Sequence, residues 1–236
     1  QHSEQMLRNY TKGEGEPVLL ENIEQAKAWA VEHGKRPRII VWGEQGIGDE
    51  IMFATMLPDL NEVGDIIFEC HPRLIGMFQR SYPFVKEFYP TRKQPEINWP
   101  SKTEPAQFKV GIGDLGLFFR NNRFQFEVAA ETAKGFLKPD PVLRDAYRKT
   151  LEGFFPGKRL IGVAWTGGVL RTMRWYRSCQ LTQLYNLGKP EDVVLVSLQY
   201  EDDGNAVQQY IDSTGRSMVR FPGITQAHDY DHTLAL

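Results

Sequence analysis

Apolar positions in this chain fall in short continuous runs separated by amphipathic stretches, the pattern of strands buried on both faces and helices that cover them. Leu19, Ile23, Ala26 and Ala30 share one helical face across residues 18–33, and Gly34 can end that helix. Residues 38–42 form an apolar strand ending in Trp42. Gly43-Glu44-Gln45-Gly46-Ile47-Gly48-Asp49-Glu50 follows, and then Ile51, Phe53, Ala54 and Leu57 at helical spacing, so the segment predicts strand, glycine turn and helix, with Pro58 kinking or ending the helix. A strand over 65–69, a helix opening at Pro72 and a strand over 85–88 continue the alternation. This β-α-β-α-β order predicts a parallel sheet covered by helices. After a proline-rich polar loop over 90–107, residues 108–112 supply another strand. Asp140 caps and Pro141 begins a connecting helix to residue 151. A second sheet starts at 159–165, turns at Thr166-Gly167-Gly168, and continues through strands at 193–198 and 218–221 with a helix around 205–211 between them. Each half opens on an apolar strand ending in Trp and followed by a glycine-containing turn, a weak internal repeat. The expected divisions are an N-terminal helical extension over 1–37, a Rossmann-like domain over 38–140, and a connecting helix with a second, partial Rossmann-like domain over 141–236.

The chain has 236 residues, 41% of them hydrophobic, enough for one large or two small domains with a real core. Its formal net charge of −2, with mixed signs, gives no reason to expect nucleic acid or an anionic membrane as partner. No apolar run approaches the roughly 20 residues of a membrane-spanning helix, and the N-terminus lacks the pattern of a secretory signal, so the expected location is cytoplasmic. Cys70 and Cys179, far apart and outside any metal-like spacing, read as reduced, partly buried thiols.

The turn after the first strand reads as a ligand-binding corner. Gly43, Gly46 and Gly48 let the backbone approach a ligand closely, and the helix start offers unpaired N–H groups. Asp49 stands at that start either as a cap or as a carboxylate projecting into a cleft, and the residues alone leave both roles open. His228-Asp229-Tyr230-Asp231-His232 has the side chains of a metal site, but Asp229 or Asp231 ahead of Thr-Leu-Ala-Leu reads as a helix cap, and no metal or cofactor is expected. Trp42 and Trp165 read as packing residues. Cys70-His71 is a poor catalytic pair, since neighbours on a strand point to opposite faces. A nicotinamide-dependent oxidoreductase is a rival reading, because Glu69 lies about 20 residues past the glycine turn, where a ribose-binding acid would be. The glycines, however, run G-x-x-G-x-G, and Tyr185…Lys189 is interrupted by Gly188 and followed by Pro190.

Trp42–Asp49 with Phe53 and Leu57-Pro58, Gly113-Asp114-Leu115 with Phe119-Arg120, and Phe136–Pro141 form one part of an ordered motif set. Gly162-Val163-Ala164-Trp165-Thr166-Gly167, Arg177-Ser178 and Ser197-Leu198-Gln199 complete it. The set resembles the glycosyltransferase-like domain of bacterial tetratricopeptide-repeat proteins, relatives of the lipopolysaccharide heptosyltransferases of glycosyltransferase family 9. That resemblance implies a GT-B architecture, with the acceptor held by the first domain and a nucleotide-sugar donor by the second. It also implies inverting, metal-independent transfer to a glycan or other hydroxyl acceptor. Asp49 matches the general base. Glu44, Gln45, Gly46, Gly48 and Arg120 fall in the acceptor-side turns, and Thr166, Gly167, Arg171, Arg174, Arg177 and Gln199 in the donor site. A carboxylate can take a hydroxyl proton, and guanidinium groups can stabilise a departing diphosphate. A solvated loop is the alternative role for the arginines of 171–177. The family's second domain continues past the point where this chain stops, and the tetratricopeptide repeats have no counterpart ahead of residue 38. The expectation is therefore a second domain cut short, feeble or absent catalysis, and self-association through an open sheet edge near 218–221. A non-catalytic nucleotide-sugar-binding or scaffold module of the same fold is a further alternative.

Overall fold

A computed structural model describes residues 16–44, 46–92, 104–132, 135–167, 173–200, 205–224 and 230–236. The chain divides into two compact units, Gln1–Lys138 and Pro139–Leu236. Each is α/β with an all-parallel sheet, compatible with a Rossmann-like domain.

The first unit is built on β1 (Val18–Leu19), β2 (Arg38–Trp42), β3 (Asp65–Glu69), β4 (Glu87–Tyr89) and β5 (Phe108–Gly111), in the spatial order β1-β5-β2-β3-β4. From β2 the chain runs outward through β3 and β4, then returns to place β5 on the other flank of β2. The order therefore reverses between β2 and β5. Ile39, Val41, Ile66 and Phe68 are fully buried, and Phe68 meets Phe78 at 5.2 Å between ring centroids. The helices are α1 (Ile23–His33), α2 (Ile47–Phe53), α3 (Leu57–Asn61), α4 (Ile75–Ser81), α5 (Leu115–Phe119) and α6 (Arg123–Thr132).

Three expectations are corrected here. Val18 and Leu19 are not helical: they pair with Phe108 and Lys109 as an edge strand, because Asn22 and Gln25 form a capping box that starts α1 only at Ile23. Gly34 does end that helix, at φ 63°. The helix after the glycine turn breaks before Pro58, through a 3₁₀ turn at Ala54–Met56, and the proline sits instead in the first turn of α3. The third strand, expected over 85–88, lies at Glu87–Tyr89.

The second unit holds α7 (Pro141–Phe154), β6 (Arg159–Val163), β7 (Val193–Ser197), α8 (Asn205–Thr214), β8 (Met218–Val219) and α9 (Asp231–Ala235), with the sheet ordered β6-β7-β8. Asp140 caps α7 by accepting from the N–H groups of Val142 and Leu143. Val163, Trp165, Leu181, Leu195, Val207 and Tyr210 make its core. Arg216, 2% exposed, donates to the carbonyls of Tyr185 and Leu187 and lies over the Tyr185 ring. At α9 the N-cap is Tyr230, without a side-chain cap bond; Asp231 falls inside the first turn and Asp229 outside the described residues. His232 is hydrogen-bonded through Nδ1 to the Tyr147 hydroxyl at 2.7 Å.

β8 is one edge of this sheet among the described residues. Met218 is buried and Phe221 packs on Tyr147 at 5.3 Å. Among the described residues the opposite strand, β6, pairs only with β7 and leaves Leu160 36% exposed. No helix among the described residues is long and apolar enough to cross a membrane.

Candidate functional site

In open parallel sheets, ligands bind beyond the carboxyl ends of the strands where the strand order reverses. In the first unit that point lies between β2 and β5, so the turns leaving these strands face one another. Glu44, on the first turn, accepts a hydrogen bond through Oε2 from the N–H of Gly113 on the second, at 3.2 Å. A Cβ on Gly111 would stand 2.5 Å from Glu44 Oε2 and 3.2 Å from Asp114 Oδ2, so two carboxylates converge over that glycine. Asp49, in the first turn of α2, accepts from the N–H of Gly46 through Oδ2 at 2.8 Å. The Gly46 N–H, just ahead of the helix, is thus taken by the chain's own carboxylate. Glu44, Asp49 and Asp114 place carboxylates, hydrogen-bond acceptors carrying negative charge, at this edge.

Partial burial pushes the Asp114 carboxyl above the usual carboxylate range. Between the ordinary value and the raised one the folded state holds more protons than the unfolded state, so stability falls as pH rises through that window. Asp114→Asn removes this penalty. The variant is expected to melt above the parent at pH 7 and level with it near pH 3, as checked by thermal unfolding at both; an equal offset at both pH values would refute the electrostatic account.

Beneath the turn lies a buried polar network that the sequence reading did not anticipate. Glu50 is 0% exposed, pairs with Arg92 Nε at 2.7 Å, and accepts from the His71 N–H at 2.9 Å. Glu69, also 0% exposed, accepts from the Thr91 hydroxyl at 2.8 Å. Burial first, then the nearby Glu50 and Glu69, pushes the Cys70 thiol up, so it is a poor nucleophile. His71 caps the next turn by accepting from the Arg73 N–H. The network explains Gly43: a Cβ there would stand 2.5 Å from the Glu50 carboxyl carbon, which its ion pair prevents from moving aside. Gly43→Ala is expected to cost about 1–3 kcal/mol, the usual scale of overpacking. Gly48, with nothing within 4 Å of a Cβ, should accept Ala without loss. Denaturant melts of the two variants check this, and equal stabilities would overturn it.

The second unit carries its own turn at the carboxyl edge of β6. Gln199, 3% exposed, accepts from the N–H groups of Trp165 and Thr166 at 3.1 and 3.0 Å. Its amide donates to the Thr166 carbonyl at 3.1 Å and hydroxyl at 2.9 Å. Gln199 is therefore a clamp between the end of β7 and the turn. Arg174 reaches the same Thr166 hydroxyl at 3.1 Å.

The structure thus brings together Glu44, Gly46, Gly48 and Asp49 in the first unit, and Thr166, Gly167, Arg174 and Gln199 in the second. Arg120 is drawn off the first site: it binds Asp59 at 2.9 Å and the Phe119 carbonyl, bracing α5 against α3. Arg177 is exposed, and Gln45 and Arg171 lie outside the described residues. Asp114 was missed as a site residue, although Gly113-Asp114 after a strand repeats the strand-then-glycine signal of Gly48-Asp49. Trp42 and Trp165 are buried packing residues. Both cysteines are free, Cys70 buried but Cys179 exposed rather than partly buried. Among the described residues no group of three or more His, Cys, Asp or Glu could hold a metal ion.

No family model matches the chain. No solved structure matches it. The chain is similar to Protein FlbA of Caulobacter vibrioides (strain ATCC 19089 / CIP 103742 / CB 15), 29% identical over 226 residues, covering 88% of this chain and 36% of FlbA. It thus spans about a third of the length of that curated relative.

Proposed function

We propose that this chain is a glycosyltransferase-like protein of GT-B type, acting in the cytoplasm. It would transfer a sugar from a nucleotide-sugar to a glycan or other hydroxyl acceptor, with inversion and without a metal. The observation that carries the proposal is the carboxylate-lined switch point of the first unit, where Glu44, Asp49 and Asp114 stand at the ligand edge of a parallel sheet. Carboxylates suit an acceptor hydroxyl, whose proton one of them must take. The donor belongs to the second unit, where Thr166 and Arg174 form the edge of the turn after β6 and Arg177 supplies positive charge. Glu69 weighs against the oxidoreductase reading: it is fully buried and bonded to Thr91, so no ribose hydroxyl can reach it. Self-association belongs to the same proposal, through the edge of the second sheet near 218–221.

The test is release of nucleoside diphosphate from a panel of nucleotide-sugars, with and without a chelator, beside calorimetric titration of the same donors and of NAD(H). Chelator-resistant release supports transfer. Donor binding without turnover would favour the non-catalytic binding module, and binding of NAD(H) alone would end both readings. A monomer at every concentration in sedimentation would remove the self-association.

A further inference from the structure

The 3₁₀ turn at Arg174–Arg177 exposes two large aromatic side chains side by side: Trp175 is 60% and Tyr176 80% exposed, with ring centroids 6.0 Å apart. The turn that carries them is anchored. Arg174 donates to the Thr166 hydroxyl, and the Ser178 hydroxyl donates to the Arg174 carbonyl at 2.8 Å. The Cys179 N–H donates to the Trp165 carbonyl at 2.9 Å. Gln199 holds Thr166 from the end of β7. Met173, at φ 55°, is the only non-glycine residue with positive φ among the described residues, and it turns the chain into this segment. Two aromatic rings are therefore held out to solvent by a built-in framework at the carboxyl edge of a parallel sheet.

Indole and phenol rings are costly to leave in water, each carrying some 150–250 Å² that packing would normally cover. The adjoining charge narrows what could cover them. Arg177 is exposed and makes no ion pair among the described residues, so the rings are bordered by a cation open to an anionic ligand. Flat π faces beside a guanidinium match a planar base joined to phosphates, since every base stacks on an aromatic ring and guanidinium groups pair with phosphate oxygens. We infer that Trp175 and Tyr176 form a stacking platform for the base of a nucleoside diphosphate, with Arg177 on its phosphates. This deepens the donor reading of the second unit, on which it rests, by naming the residues that would take the base.

The experiment titrates the intact chain with UDP, ADP, GDP and CDP, and with inorganic pyrophosphate as a base-free control, by calorimetry and tryptophan fluorescence. At least one nucleoside diphosphate should bind more tightly than pyrophosphate and quench fluorescence. Trp175→Ala should weaken it by roughly 10-fold or more, the scale of a lost base–aromatic stack, and leave pyrophosphate affinity unchanged. Trp175→Phe should keep most of the affinity, and Arg177→Ala should weaken nucleotide and pyrophosphate alike. The residues are exposed, so the variants should melt with the parent. Nucleotide affinity indifferent to Trp175→Ala and to Tyr176→Ala would overturn the inference. So would loss of self-association in those variants with nucleotide affinity intact, which would make the pair a contact between copies. Stacking-dependent binding without sugar transfer would sustain the inference and end the transferase reading, whereas transfer that ignores Trp175 would do the reverse.

Discussion

Arg92→Leu should destabilise the protein by about 3–5 kcal/mol, the cost of leaving a buried carboxylate without its counter-ion. Arg92 is 7% exposed and Glu50 0%, and the pair closes at 2.7 Å directly under the glycine turn. Removal of the guanidinium takes away the counter-charge of a carboxylate that also accepts from the His71 N–H. The size of the loss does not measure what the pair contributes, because much of it is the penalty on the abandoned charge. The double variant Glu50→Gln with Arg92→Leu separates the two, since a neutral amide keeps an acceptor for the His71 N–H and carries no charge to strand. Denaturant unfolding of parent, single and double variants should show the double recovering at least half of the loss. A single variant within 1 kcal/mol of the parent would mean that water reaches the carboxylate and that the network is not dry.

The parts of this fold that were legible in the sequence are those set by local chemistry. Apolar runs at 38–42, 65–69 and 193–197 can only be buried strands. Asp140-Pro141 can only open a helix well, and Gly34 ends one. What was not legible depends on pairing across the chain. Val18 and Leu19 continue a helical face by spacing, yet Phe108 and Lys109 recruit them into the sheet, and only Asn22 and Gln25 marked the true start of α1. In the site the same division holds. Asp49 stood out because three glycines frame it, whereas Glu50, its neighbour, looked like one more acidic residue in a first turn. Its importance comes from Arg92, some forty residues away and beside a loop with no periodic signal. Gln199 and Arg120 carried the right motifs, but their hydrogen bonds are spent on the protein itself, and a motif does not say which way a side chain is turned.

That distinction bears most on Asp49, where one carboxylate is asked to be both a cap and a base. Its Oδ2 accepts the Gly46 N–H and the residue is only partly buried, so under the proposed transfer Oδ1 is the oxygen that would meet the acceptor hydroxyl. Asp49→Asn preserves an oxygen acceptor for Gly46 and removes basicity. It should therefore melt within about 1 kcal/mol of the parent while transfer falls by about 10²-fold or more, the usual contribution of a general base. Asp49→Ala removes both functions and should add a loss of about 1 kcal/mol, the ordinary worth of a helix cap. Asp114→Asn serves as the control, because its carboxylate stands at the same edge with no hydrogen bond to the protein among the described residues. Should transfer survive Asp49→Asn and collapse in Asp114→Asn, the base is Asp114 and Asp49 is the cap. Single-turnover rates on a donor released by the parent, read beside thermal midpoints, separate the outcomes, and equal loss of stability and rate in Asp49→Asn would leave Asp49 no role beyond holding α2.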